Sequence, residues 1–360
     1  MIDIKNIGWS SYDVFEGPFY LGQSKFVMPD SPTLADKILA TITATEGGSW
    51  NAINMYDRCI VTVGLIQWCE GGQYSVSDML GAAAERSMSL LAPLRNIMNL
   101  ANVEFKKNAK GRYRFFFLDE RGEVDRAEEQ QQLFLRGSGR KKSWNEESKA
   151  YAKSWAASLA EVYAEPNAIA TQRDYTTPRL YGFALPTAME LFKAPEAKGS
   201  PIGQAFICAY LSFAANNPAR ADVSLKKAIK TWNTQDGPIW SPRWFNHVLE
   251  RLTFASGVTI YPRRYDAIRP VLEKLFGIDI PDRSEQLKGL LSALEIQDIL
   301  VRVLKYDLGK SGPKGDGVDG QWGKKSVSAL ADFERRNGLD GDGLPDAATN
   351  AALLKVRDAG

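Results

Sequence analysis

Apolar residues recur at helical spacing along most of the chain. In the first such segment, Leu34, Ile38 and Ile42 form one stripe, and Ser31 before them is a residue typical of a helix cap. Gly48 follows as a residue typical of a helix end. Similar patterns predict further helices over 77–102, 146–165, 202–215, 218–233, 241–256, 264–276, 287–308, 324–337 and 347–356.

Patterns typical of β-strands are confined to the first third of the chain. Residues 1–30 are aromatic and irregular, which predicts an N-terminal strap packed on the body. Residues 59–66 suit a short strand, and residues 111–124 predict a β-hairpin whose turn lies at 119–122. The fold class expected is therefore mainly α with a small β element.

One carboxylate lies on the apolar face of the first helix. Glu46 follows Ile42 by four residues, so both side chains point to the same face. A carboxylate on an apolar face costs free energy unless it is paired or protonated. Glu46 is therefore a better candidate for chemistry than most of the 43 acidic residues.

Composition restricts the kinds of chemistry and partner. The 360 residues suggest two or three domains, and a net charge of +2 does not favour nucleic acid as the main partner. Neither a secretory signal nor an apolar run long enough for a membrane span is present. We expect a protein made in a cytoplasm without a signal peptide, acting as a monomer after release.

The residues that usually bind metals are scarce. His247 is the single histidine, whereas a zinc amidase or peptidase usually needs two or three histidine ligands. The three cysteines have no C-x-x-C spacing, so they favour neither a zinc site nor a disulfide framework. We therefore expect no metal and no cofactor, and an enzyme that works with carboxylates.

A composition shift at 278–283 predicts two domains, 1–282 and 283–360. Beyond it, Asp-Gly turns alternate with short helices. Between these turns lie Trp322-Gly323, Phe333 and Gly338-Leu339. This pattern, over 287–356, resembles the three-helix peptidoglycan-binding module of many cell-wall hydrolases. The resemblance implies that the partner is bacterial peptidoglycan and that Trp322 and Phe333 bind it. Calcium loops are the alternative, but the terminal glutamate of an EF-hand is missing.

A second resemblance concerns residues 30–100. Glu46, Asp57 and Thr62 resemble the Glu, Asp and Thr arrangement of phage-type lysozymes. The stretch T-V-G-L-I-Q-W, which ends in Gln67-Trp68, is similar to the G-L-M-Q motif of goose-type lysozymes and lytic transglycosylases. This second resemblance implies a lysozyme-like α+β catalytic domain, in which 103–200 is an unassigned insertion.

The resemblance also implies roles for individual residues. Glu46 is the general acid, Asp57 a base or electrostatic stabiliser, and Thr62 a ligand of the attacking water. Tyr56 and Gln67 bind substrate, Gln67 at the sugar N-acetyl group. A plainer interpretation of Asp57 is that it caps a turn or pairs with Arg58.

The function expected is that of a muramidase, which hydrolyses the glycan strand, in a phage or prophage endolysin. A virion-associated enzyme is an alternative location. The first alternative function is a lytic transglycosylase, which forms 1,6-anhydro products without needing Asp57. The second is a non-catalytic wall-binding or structural virion protein.

Overall fold

The computed structural model describes residues 2–12, 15–46, 48–56, 61–69, 75–100, 102–119, 122–124, 145–216, 218–254, 260–283, 289–320 and 322–359. Contacts divide the chain into two compact units, Met1–Tyr181 and Gly182–Gly360. The boundary predicted at 282/283 thus falls inside the second unit. The fold class is mainly α with small sheets, as the periodicity predicts.

The first unit contains a five-stranded antiparallel sheet. Its strands are Gly8–Tyr12 (β1), Phe15–Tyr20 (β2), Ile53–Asn54 (β3), Thr62–Val63 (β4) and Trp68–Cys69 (β5). Each strand pairs with the next along the chain. Asn54 on β3 lies opposite Thr62 on β4, and Thr62 lies opposite Cys69 on β5.

The described residues of this unit also form five helices and a second sheet. The helices are Leu34–Glu46 (α1), Val76–Arg86 (α2), Ala92–Leu100 (α3), Glu146–Val162 (α4) and Pro166–Gly182 (α5). The strands are Val103–Lys107 (β6), Tyr113–Asp119 (β7) and Gly122–Val124 (β8). Asp119 pairs with Gly122, so the predicted hairpin is confirmed, whereas 120–121 of its turn lie outside the described residues.

The cap of the first helix is Thr33, two residues after the predicted Ser31. The backbone N–H of Asp36 donates to the Thr33 hydroxyl at 3.3 Å, and the Asp36 carboxylate accepts from the Thr33 backbone at 3.0 Å. This reciprocal pair is a capping box, and it satisfies backbone N–H groups at the helix start. Ile38 and Ile42 are fully buried, as their spacing predicts.

One apolar cluster joins both sheets to the helices of the first unit. It contains Val63 of β4, Met79 of α2 and Trp155 of α4. Trp155 meets Phe115 of β7 edge to face, with ring centroids 6.0 Å apart. The segment 103–200, predicted as an insertion, therefore supplies core residues of this unit.

Two predicted elements of the first unit differ from the structure. The strap predicted at 1–30 contains β1 and β2, whose aromatic residues pair into the sheet. The helix predicted over 77–102 is interrupted by a 3₁₀ turn at Met88–Leu91. The helix ends at Ser87, whose backbone is extended with a φ of −158° and a ψ of 105°.

The cysteines also differ from expectation. Cys69 at the end of β5 is disulfide-bonded, although the odd number of cysteines and their spacing did not indicate a bridge. Cys208 is buried and forms no disulfide. Disulfide pairing depends on which thiols the fold brings together, so spacing along the chain is a weak guide to it.

In the second unit, a bundle forms around one apolar helix. The helices are Pro186–Lys193 (α6), Pro195–Gly199 (α7), Pro201–Asn216 (α8), Pro218–Thr231 (α9), Pro242–Phe254 (α10) and Ile260–Phe276 (α11). Residues 205–214 of α8 are buried on every side, as expected of a helix that is apolar all round. Trp244 packs against Phe206 at a centroid distance of 5.3 Å, so it belongs to this core.

The C-terminal helices surround a core of their own. They are Ala293–Asp298 (α12), Lys324–Arg336 (α13) and Ala347–Ala359 (α14), and a π turn at Ile299–Val303 extends α12. Ile296, Leu330 and Leu353, one from each helix, meet in this core. We call residues 289–359 the C-terminal module.

Ion pairs connect the C-terminal module to the preceding bundle. Lys227 of α9 lies 2.8 Å from Asp340 and also contacts Asp342, and Arg251 of α10 lies 3.4 Å from Asp346. These contacts explain why the compact unit extends across the predicted boundary. Among the described residues, no helix is both long and apolar enough to cross a membrane.

A buried carboxyl group lies beneath the loop that makes these ion pairs. Glu334 is 1% exposed and accepts hydrogen bonds from the Thr349 hydroxyl and the Gly343 N–H, both at 2.7 Å. Burial raises its pKa from 4.5 to about 7, although both hydrogen bonds act in the opposite direction. Desolvation of the charged form is therefore the dominant effect.

The pKa of Glu334 predicts a loss of stability at high pH. Between 4.5 and about 7 the folded state binds more protons than the unfolded state, so the free energy of unfolding falls as pH rises. Glu334→Gln, which stays neutral, should lower the melting temperature less at about pH 8 than at about pH 5, or should raise it. Calorimetry of the full chain, with the exposed Glu196→Gln as control, measures this. Parallel pH profiles for wild type and Glu334→Gln would contradict the assignment.

Candidate functional site

Four of the predicted site residues line one cavity in the first unit. They are Glu46 at the end of α1, Tyr56 two residues after β3, Thr62 at the start of β4, and Gln67 in the turn before β5. The cavity measures about 90 Å³. The other residues that line it are Phe19, Tyr20, Leu21, Ala52, Ile53, Asn54, Val63 and Gly64.

Glu46 reaches the cavity because α1 ends there. It is the last residue of α1 and is partly exposed, and Gly48 adopts a positive φ of 65° as the chain turns away. A positive φ suits glycine, which has no Cβ to clash. The chain then returns towards β3, whose residues form one wall of the cavity.

A buried asparagine fixes the segment between α1 and β3. Asn51 is 2% exposed, and its Oδ1 accepts from the N–H groups of Gln23 and Ser24, each at 3.0 Å. Its Nδ2 donates to the carbonyl oxygen of Ala160 on α4 at 3.1 Å. One side chain thus joins the segment after α1 to the chain before it and to a helix more than a hundred residues later.

A buried glutamine of α5 stabilises the same segment through a hydrogen bond. The Nε2 of Gln172 donates to the Trp50 carbonyl oxygen at 2.8 Å. Gly64 follows β4 with a φ of 80°, and a Cβ there would lie 2.0 Å from the Gln172 Oε1. Only glycine therefore fits between this glutamine and the turn that leads to Gln67.

Tyr56 and Thr62 are positioned by the pairing of β3 with β4. The Thr62 hydroxyl donates to the Asn54 carbonyl oxygen at 3.3 Å, so its oxygen keeps lone pairs that can accept from a water. The Asn54 Oδ1 accepts from the Tyr56 N–H at 2.9 Å, and the Tyr56 ring meets Phe19 edge to face. Burial raises the pKa of Tyr20, whose hydroxyl remains a donor.

Gln67 has an unusual backbone conformation. It lies in the turn between β4 and β5 with a φ of 50°, a value that few residues other than glycine adopt. Such strain persists only where the surroundings enforce it, and it occurs often at functional sites. Next to it, the Arg179 guanidinium lies 4.5 Å from the centre of the Trp68 ring, and burial lowers the Arg179 pKa to about 10.

The cavity suits a small polar group. Its lining includes Glu46, Tyr56, Thr62 and Gln67. A carboxyl group, hydroxyls and amides surround this space, so it could hold an acetamido substituent or an attacking water beside an acid.

The remaining predicted residues have different outcomes. Asp57 lies outside the described residues, so its role stays a prediction. Trp322 and Phe333 are only 8% and 2% exposed and belong to the core of the C-terminal module. Their burial indicates that they stabilise the module and do not present a ring to the wall.

Sequence patterns did not single out several residues of the site. Asn54 and Tyr20 reach the cavity through the pairing of β2 with β3, and Asn51 and Gln172 support it through long-range hydrogen bonds. The aromatic character of the first thirty residues was the one signal available. His247, the single histidine, packs against Trp232 in the second unit.

Comparison with protein families gives a match in the C-terminal module. The model of a peptidoglycan-binding domain family matches residues 295–353. This match agrees with the resemblance found in the sequence and supports peptidoglycan as the partner. No curated protein and no solved structure matches the chain.

Asn51 provides a test of how the site is built. Asn51→Ala removes the acceptor of two backbone N–H groups and a donor to α4, and we expect it to destabilise the first unit by about 2–3 kcal/mol. Urea unfolding followed by tryptophan fluorescence measures the loss. Asn167→Ala, on the exposed surface of α5, should change stability by less than about 0.5 kcal/mol. Equal effects of the two substitutions would exclude a special role for Asn51.

Proposed function

We propose that the chain is a peptidoglycan hydrolase that cleaves the glycan strand, with Glu46 as the general acid. The main support is that Glu46, Tyr56, Thr62 and Gln67 line one cavity. The matched binding domain supports the polymer on which this site would act.

The reaction needs a proton at the leaving oxygen and a nucleophile at the sugar carbon. Glu46 donates its proton to the glycosidic oxygen as the bond to the sugar carbon breaks. A water then adds to that carbon, and it loses a proton to a base. Asp57 is the proposed base or stabiliser, and the Thr62 oxygen accepts a hydrogen bond from the water.

Gln67 and Tyr56 orient the substrate in this scheme. An amide can both donate to and accept from the N-acetyl group of the amino sugars. The strained conformation of Gln67 supports such a role, since it directs one side chain into the cavity. The chain would then digest the bacterial cell wall, as phage or prophage endolysins do.

A lytic transglycosylase is the second candidate, and Glu46 in the cavity could serve it too. Glu46 is the sole acid among the described residues that line the cavity. A transglycosylase needs only this acid, because the 6-hydroxyl of the sugar attacks in place of water. The two reactions differ in whether Asp57 is required.

Replacing the proposed acid tests whether the chain is an enzyme. Glu46→Gln should lower the rate of lysis of purified sacculi by about 100-fold or more, because an amide cannot supply the proton. Turbidity measures the rate, and circular dichroism checks that the variant is folded. Glu165→Gln, at an exposed position before α5, should keep wild-type activity. Lysis by Glu46→Gln at the wild-type rate would leave a non-catalytic wall-binding or virion protein as the explanation.

The products and Asp57→Asn separate the two reactions. A hydrolase should release fragments with a reducing muramic acid, and Asp57→Asn should reduce its rate by about 100-fold. A transglycosylase should release 1,6-anhydro fragments and keep its activity in Asp57→Asn. Mass spectrometry of the digests distinguishes the products. Peptide cleavage without either sugar product would exclude both reactions.

A further inference from the structure

The C-terminal module carries a groove that is separate from the cavity at Glu46. It lies between α12, the π turn and the loop 313–318, with Arg357 of α14 at its edge, and it measures about 500 Å³. This volume is within the roughly 300–1,000 Å³ typical of small-molecule sites. The groove lies wholly within the module, most of which the family model matches.

The apolar part of the groove remains open to solvent. Leu294 is 51% exposed and Val303 is 36% exposed, although both are large apolar side chains. Ile299 and Val318 continue this surface and are themselves buried. The groove therefore offers aliphatic contacts to an alkyl chain.

Charges of both signs surround the apolar surface in equal number. The acids are Glu295, Asp298 and Asp316, and the bases are Arg302, Lys314 and Arg357. A ligand that carries both carboxylate and ammonium groups would complement this arrangement, whereas a neutral ligand would not.

Some of these charged groups hold the groove together. Arg302 lies 2.6 Å from Asp298 and 3.5 Å from Asp316, so it connects the helical wall to the loop. Glu295 accepts from Ser292 in a capping box, and these hydrogen bonds lower its pKa. Lys314 and Arg357 are exposed. The Arg357 Nε contacts Asp358 at 3.0 Å, and a guanidinium has further N–H groups to offer.

The backbone around the groove adopts uncommon conformations. Ile299, Arg302 and Val303 lie on the π turn, a rare conformation that occurs often at functional sites. In the loop, Gly317 has a φ of 84°, and a Cβ there would lie 2.5 Å from Leu308. The Asp316 Oδ1 accepts from the Val318 N–H at 3.2 Å. The loop is thus held in one shape before any ligand arrives.

We propose that this groove binds the peptide stem of peptidoglycan, not its glycan strand. The stem combines alkyl side chains with free carboxylates and, in walls built with a diamino acid, an ammonium group. The glycan repeat has no ammonium group, and proteins commonly bind sugars on aromatic rings. None of the described residues that line the groove is aromatic.

In this arrangement Lys314 and Arg357 bind stem carboxylates, and Asp298 and Asp316 face the ammonium group. The alkyl chain between these groups lies on Leu294 and Val303. The inference rests on the proposed function for its polymer, but it does not depend on catalysis at Glu46. Anchoring by the stem would leave the sugar chain free to enter a cleavage site.

Binding of defined wall fragments tests the proposal. The full chain carrying Glu46→Gln is titrated calorimetrically with the free tetrapeptide L-Ala-D-Glu-diaminopimelate-D-Ala, and separately with peptide-free glycan oligomers. Adding Lys314→Glu and Arg357→Glu should weaken tetrapeptide binding by about tenfold or more. Adding Lys310→Glu and Lys355→Glu, which make the same charge change at exposed positions outside the groove, should change it by less than about twofold.

Each other outcome has a distinct meaning. Unchanged tetrapeptide affinity in the groove variant would overturn the proposal, as would a groove-dependent affinity for the glycan oligomer. A wild-type chain that releases no sugar products but binds the tetrapeptide through the groove would refute the proposed function alone. A chain that cleaves glycan but does not bind the tetrapeptide would refute the groove assignment alone.

Discussion

The candidate site depends on the buried amide of Asn51. A turn after α1 carries backbone N–H and C=O groups into the protein interior, and each of these groups needs a partner. Asn51 supplies partners on both sides, since it accepts from Gln23 and Ser24 and donates to Ala160. The segment after α1 is thereby fixed, and Glu46 and Thr62 line one cavity.

Buried side-chain amides also order the loops of the C-terminal module. Gln297 is 1% exposed, and its Oε1 accepts from the N–H groups of Asp319 and Gly320 while its Nε2 donates to Ser326. The Asp-Gly turns that resemble calcium loops are thus ordered by a side-chain amide. Asn350 similarly accepts from Leu291. Buried amides of this kind favour one arrangement of the loops, because any other arrangement leaves polar groups unsatisfied.

The two units combine a candidate acid with a wall-binding module. The family match supports the binding module, whereas catalysis at the cavity in the first unit is our proposal. The bundle of α6 to α11 contributes a core centred on α8 and the partners of the 340–346 loop, Lys227 and Arg251. Trp244 packs against Phe206 in that core.

Local patterns in the sequence predicted most of the helices, the hairpin at β7 and β8, and the binding module, but not α5, α6 and α7. Apolar spacing and turn residues act over a few positions, so they can be read without knowing the fold. Tertiary structure alone decided that β1 and β2 join the sheet, that 103–200 supplies core residues, and that Trp322 is buried. It also decided which amides support Glu46, because Asn51 and Ala160 are brought together by packing that no local pattern encodes.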